Sequence, residues 1–203
     1  MIDKICTYLT NKIRKEMPDI DDERAEVIMY GLQNIIGELP KGVFILFIAY
    51  VLGILKLTLM AVLIIAPYRC LSGGVHMKTH MGCIIYTLIL YSGSALLGKY
   101  IILTGITKYI IAAIVWIFCM VMIKLYAPAD TENVPILRKD ERKQKQIFSY
   151  IILTVEFVIA ILTNNTTIAG IIIFGDLIQT LTITRLAYKI TNNKYGHEVY
   201  ANI

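Results

Sequence analysis

The stretch VFILFIAYVLGILKLTLMAVLIIA, residues 43–66, carries a single charged side chain, Lys56, in an otherwise apolar run. A helix of about 20 such residues crosses the hydrocarbon core of a bilayer, so this run reads as a membrane span. Further apolar runs follow at 82–97, 100–123, 147–163 and 166–188. In the whole chain of 203 residues, 57% are hydrophobic and 17% charged, with a mean hydropathy of +0.64. A soluble domain carries about 25% charged residues, and here too little polar chain remains to cover a core. The expectation is an all-α polytopic membrane bundle forming a single integral-membrane domain over residues 1–203.

A sixth element precedes the first strong span. RAEVIMYGLQNIIGEL, 24–39, places Val27, Ile28, Leu32, Ile35, Ile36 and Leu39 at helical spacing. Glu26, Gln33, Asn34 and Glu38 form its polar face, as in an interfacial or atypical crossing helix. PKG at 40–42 reads as the turn into 43–66. The first 25 residues contain Asp3, Glu16, Asp19, Asp21, Asp22 and Glu23 and no central apolar run, unlike a signal peptide. Cytoplasmic loops near membrane ends are rich in Lys and Arg. If all six elements cross with the N-terminus inside, 16 of the 20 basic residues fall on the cytoplasmic side, among them Lys4, Lys78 and the cluster at 138–145. Both termini are therefore expected in the cytoplasm, together with the connection at 68–83.

That connection, YRCLSGGVHMKTHMGC, gathers two histidines, two cysteines, an arginine, a lysine and a serine in one short stretch. Cys83 falls near the start of an apolar helix, where positive partial charge and unpaired N–H groups favour a thiolate. A neighbouring histidine would complete a Cys–His nucleophile. On one continuous helix His76 and Cys83 would lie about 10.5 Å apart along the axis, too far for proton transfer. His80, three residues away, would be a surface neighbour. Thus His76 serves only if the chain folds back first, and the SGG of Ser72, Gly73 and Gly74 permits such a turn. Its N–H groups are candidates for an oxyanion hole. The spacing leaves the two histidines open, with His80 slightly ahead. His76, His80 and Cys83 are also possible zinc ligands, although H-x3-H-x2-C matches no strong zinc motif.

YRCLSGGVHMKTHMGC resembles the signature of the accessory gene regulator protein B (AgrB) family, with its Arg, Gly-Gly-x-His and a Cys seven residues after the His. YAPADTENVPI, 126–136, resembles that family's proline-rich cytoplasmic segment, and a basic cluster follows it. The resemblance implies a membrane cysteine endopeptidase of peptide quorum sensing, working without cofactor or metal. Its substrate would be a small AgrD-like precursor, which loses its C-terminal segment and is cyclised to a thiolactone or lactone. It implies Cys83 as nucleophile and His76 as base, with Arg69, Gly73 and Gly74 in support, and a homodimer in the cell membrane. Nucleic acid is not a partner.

Other assignments rest on the residues alone. Ser72, Asp130 and Glu132 are candidates to orient His76. Asp130, Glu132, Arg142 and Lys143 are candidates for contact with the substrate, and the cluster RKDERKQK is a lipid-headgroup anchor. Glu156 and Asp176 lie within apolar runs, where a charge costs roughly 2.5–3.5 kcal/mol. They should face the bundle, a cavity or a partner subunit, with Lys56 or Lys108 as candidate counter-charges. Rival functions are a peptide transporter or channel, a zinc-dependent membrane hydrolase and a non-enzymatic assembly partner.

Overall fold

A computed structural model describes residues 2–17, 20–77, 79–132 and 134–200. Asp19, Lys78 and Asn133 lie outside the described residues, as do the side chains of Asp3, Lys4, Glu23, Gln33, Asn34, Glu38 and His80. Among the described residues the regular elements are helical. Two compact units are present, residues 1–48 and 49–203.

In the first unit, α1 (Ile2–Glu16) is followed by the start of α2 (Asp22–Val51). Arg14 and Asp22 form an ion pair at 2.7 Å. The expected turn at 40–42 is absent: α2 runs straight through Pro40. Proline costs a helix one N–H bond, yet the helix continues on both sides of it. Residues 24–39 and the first part of 43–66 are thus one helix. The break falls at Gly53, inside the run read as a single span. Gly53 has a φ of +66°, its N–H donates to the Tyr50 carbonyl at 3.0 Å, and that of Ile54 reaches back to Ala49 at 2.9 Å. This pair of bonds is a Schellman cap, and it comes with the usual apolar contact, since Ile54 and Ala49 are buried in one cluster.

In the second unit, α3 (Leu55–Ser72) leads to the connection of interest. The run at 82–97 is built as α4 (His80–Leu88), a π-helical turn at Ile89–Gly93, and α5 (Ser94–Tyr100). α6 is Gly105–Tyr126 and α7 is Lys139–Leu162. The helix at 147–163 therefore extends through the basic cluster, helped by Asp140 and Glu141 in its first turn and by a Glu141–Lys145 pair at 3.0 Å. The run at 166–188 divides into α8 (Thr166–Thr182) and α9 (Arg185–Ile190), with Thr184 capping the second. A final turn, α10, covers Gly196–Val199. Among the described residues four helices are long and apolar enough to cross a membrane, Leu55–Ser72, Met81–Tyr100, Gly105–Tyr126 and Lys139–Leu162, and Thr166–Thr182 is a shorter apolar helix. The chain is a polytopic α-helical membrane protein.

α8 lies at the centre of this unit and packs against α3, α5, α6 and α7. Gly98 and Gly170 let α5 and α8 meet backbone to backbone, since a Cβ on Gly170 would sit 2.8 Å from the Gly98 Cα. Glu156 and Asp176 are buried within the unit and face each other. Two carboxylates offer acceptors only, so neither Asp176 oxygen has a donor until one group is protonated. Lys108 is not their counter-charge. Its ammonium donates to the Ile161 and Thr163 carbonyls at 2.9 and 3.0 Å, where it serves the negative end of α7. Lys56 is exposed.

Candidate functional site

The last turn of α3 delivers Arg69 into a set of acceptors. Nη1 donates to the Tyr86 hydroxyl at 2.6 Å and to Gln179 Oε1 at 2.9 Å, and Nη2 donates to the Val75 carbonyl at 3.0 Å. The guanidinium also lies 4.9 Å from the Tyr86 ring centroid, so the same aromatic ring supplies stacking and an acceptor. Gln179, fully buried on α8, uses both ends of its amide. Its nitrogen donates to Ser72 Oγ at 3.1 Å and to the Gly73 carbonyl at 2.8 Å.

Helix α3 stops at Ser72 because Gly73 and Gly74 take φ values of +72° and +135°, which side chains resist. Space forbids a side chain there as well. A Cβ on Gly73 would run into the Ala129 carbonyl, and one on Gly74 would lie 2.6 Å from Thr182 Oγ1. The turn is closed by Gly73 N–H to the Arg69 carbonyl and Gly74 N–H to the Ala129 carbonyl, both 2.9 Å, and by Ala129 N–H to the Ser72 carbonyl at 2.8 Å. The Gly73 and Gly74 N–H groups, named for an oxyanion hole, are thus donated within the fold.

Beyond the turn, Val75 is buried with its N–H on the Thr182 carbonyl at 3.2 Å. His76 is exposed and its carbonyl accepts from Asn193 Nδ2 at 2.8 Å. Residues 76 to 83 are not one helix. α4 begins at His80 with Thr79 as its cap, whose side chain accepts from Gly82 N–H at 3.1 Å. Cys83 sits half-buried in the first turn of α4, its N–H on the Thr79 carbonyl at 3.0 Å. A groove of about 390 Å³ brings together Arg69, Cys70, Gly73, His76, Tyr91, Asp130 and Lys145. Among the described residues no three His, Cys, Asp or Glu side chains converge as a metal site.

Ala129, Asp130, Thr131, Val134 and Ile136 form one wall of this groove, organised by Asp130. Its carboxylate accepts from the Ile136 N–H at 2.9 Å, the His197 N–H at 2.8 Å and His197 Nδ1 at 2.6 Å, with Arg142 at 3.3 Å. Burial works to raise its pKa, but those donors and the charges of His197 and Arg142 outweigh it and hold the group below the usual carboxylate range. Asp130, expected against substrate, is thus a buried clasp with Arg142 aimed at it, while Lys143 is exposed and Glu132 half-exposed. Gln179, Tyr86, Thr182, Asn193 and His197 escaped the sequence reading. Only Gln179 carried a signal, as an amide inside an apolar run.

The accessory gene regulator B family model matches residues 6–183. The chain belongs to the AgrB family. Similar proteins include an AgrB-like protein of Listeria monocytogenes serotype 4a and one of Listeria innocua serovar 6a. Each is 28% identical over 192 residues, covering 93% of this chain and 91% of the relative. An AgrB-like protein of Clostridium perfringens strain SM101 is 27% identical over 166 residues, covering 80% and 77%. No solved structure matches the chain. AgrB membership gives it a membrane-embedded role in processing the AgrD-like precursor of the agr quorum-sensing peptide.

Proposed function

We propose that this chain is a cysteine endopeptidase in which Cys83 is the nucleophile and His76 the general base. The observation that supports the reading is that His76 and Cys83 do not share one helix: α3 ends at the Gly73–Gly74 turn, and α4, whose first turn holds Cys83, begins only at His80. Arg69 and Gln179 fix the turn on both sides and Thr79 caps the helix. His76 takes the Cys83 thiol proton, sulfur attacks the scissile carbonyl, and the C–N bond breaks as the proton passes to the leaving amine. The C-terminal segment of the precursor departs and a thioester remains on Cys83. A thiol or hydroxyl within the precursor then attacks that thioester, closing a thiolactone or lactone and returning the Cys83 thiol. Replacing one thioester by another is close to isoenergetic, so excluding water is what protects the intermediate.

The basic side chains of Arg138, Lys139, Arg142, Lys143 and Lys145 at the head of α7 support a cytoplasmic site in the cell membrane, with both termini inside. The active species is a homodimer of a single peptidase domain. Co-expression with the cognate precursor and mass spectrometry of the products tests the assignment. Wild type releases the C-terminal segment and yields the ring, and both Cys83→Ala and His76→Ala leave the precursor intact. Normal cleavage by Cys83→Ala would sink the nucleophile, and flux of precursor without cleavage would favour a transporter.

A further inference from the structure

His76 is held from three directions, and one of them comes from a segment beyond residue 183, where the family match ends. On one side Val75 is fixed by Arg69 from α3 and by the Thr182 carbonyl from α8. On the other, the His76 carbonyl itself accepts from Asn193. We infer that the C-terminal segment 185–200 is a positioning element of the active site, with Asn193 setting the backbone that carries His76. This rests on the reading of His76 as the base.

The orientation of the Asn193 amide follows from its neighbours. Nδ2 faces the His76 carbonyl at 2.8 Å, Thr191 Oγ1 at 2.8 Å and the Thr191 carbonyl at 3.5 Å. Carbonyls offer no proton, and the Thr191 hydroxyl already donates to Ala187 at 2.8 Å. All three partners need a donor, so the nitrogen must point to them. Local chain geometry aims the amide there. α9 ends at Ile190, Asn192 takes a φ of +54°, and Asn193 N–H closes on the Tyr188 carbonyl at 2.9 Å. Asparagine tolerates that left-handed position better than most residues.

The segment is docked by interactions that reach well beyond Asn193. Tyr188 and Tyr195 stack with centroids 4.0 Å apart, and their hydroxyls donate to the Asp130 and Ile183 carbonyls at 2.9 and 2.7 Å. Burial pushes both phenols up, so they stay protonated donors. His197 adds its two bonds to the Asp130 carboxylate. The segment therefore touches the His76 turn and the Asp130 wall of the groove at once.

The test uses the full-length protein in lipid vesicles with its precursor, comparing Asn193→Ala, Asn193→Asp, Lys194→Ala and His76→Ala. Asn193→Asp keeps the shape and removes the donor. We expect both Asn193 variants to lose about tenfold in kcat at unchanged KM, as for a misplaced catalytic group. Lys194→Ala keeps the wild-type rate. Wild-type kcat in Asn193→Asp, or a loss that appears in KM alone, overturns the positioning role. A His76→Ala variant that still cleaves overturns the underlying reading instead, so the two failures are separable.

Discussion

Arg69 donates through Nη2 to the Val75 carbonyl at 3.0 Å, so the residue before His76 is held by the helix that precedes the turn. The same guanidinium serves Tyr86 and Gln179, a planar fork that spans three acceptors at fixed angles. Lysine offers a compact ammonium on a flexible stem and cannot reproduce it. Arg69→Lys should therefore lower precursor cleavage by roughly tenfold to a hundredfold while still accumulating in the membrane. Cleavage at the wild-type rate would show that charge alone suffices at this position.

Gly73 combines a positive φ with a Cβ position blocked by the Ala129 carbonyl. Gly73→Ala should cost about 1–3 kcal/mol in strain alone, and more where Ala129 is pushed away. Gly31, inside α2, has open space where a Cβ would go, and Gly31→Ala should be neutral or stabilising by about 0.5–1 kcal/mol. Thermal unfolding of the two variants in detergent separates them. Equal midpoints would mean that the turn is less constrained than its geometry requires.

The helical membrane class was legible because apolar runs report which segments avoid water. They do not report where a helix breaks inside the apolar phase. Gly53 does carry that signal, as a glycine followed by an apolar residue that meets the helix it ends. Hydropathy averages it away. Pro40 misled in the opposite direction, since proline removes one bond from a helix ladder without always ending the helix. At the site, the SGG turn was readable as a permission and the structure supplies its reason in Ala129 and Thr182. The partners that fix it were hidden by distance: Gln179 and Asn193 are separated from Gly73 and His76 by 106 and 117 positions. The bonds that organise Asp130 were hidden in the same way, since His197 reaches it from 67 positions away.

Glu156 and Asp176 are both acceptors unless one is protonated, so the pair needs one hydrogen-bond donor, which a shared proton would provide. Asp176→Asn supplies that donor from an amide of the same shape. It should hold stability within about 1 kcal/mol of wild type, whereas Asp176→Ala, which strands the buried Glu156 carboxyl, should cost about 2 kcal/mol. Unfolding midpoints in detergent measure both. If Asp176→Asn is as damaged as Asp176→Ala, a shared proton is not what holds the pair.

The Asp130 clasp makes a prediction in pH. Although burial opposes it, the donors and charges of His197, Ile136 and Arg142 depress this group on folding. A carboxylate depressed on folding stabilises fully above its unfolded value, about 3.9. That contribution fades as pH falls through the lower folded value. Asp130→Asn removes the charge and leaves Arg142 and His197 facing a neutral group, at a cost of about 1.5–3 kcal/mol near neutral pH. The gap between wild type and Asp130→Asn should stay level from about pH 7 to 5 and narrow only below about pH 4. Unfolding followed across that range checks it. A gap that closes already between pH 7 and 5 would assign the stabilisation to another titrating group.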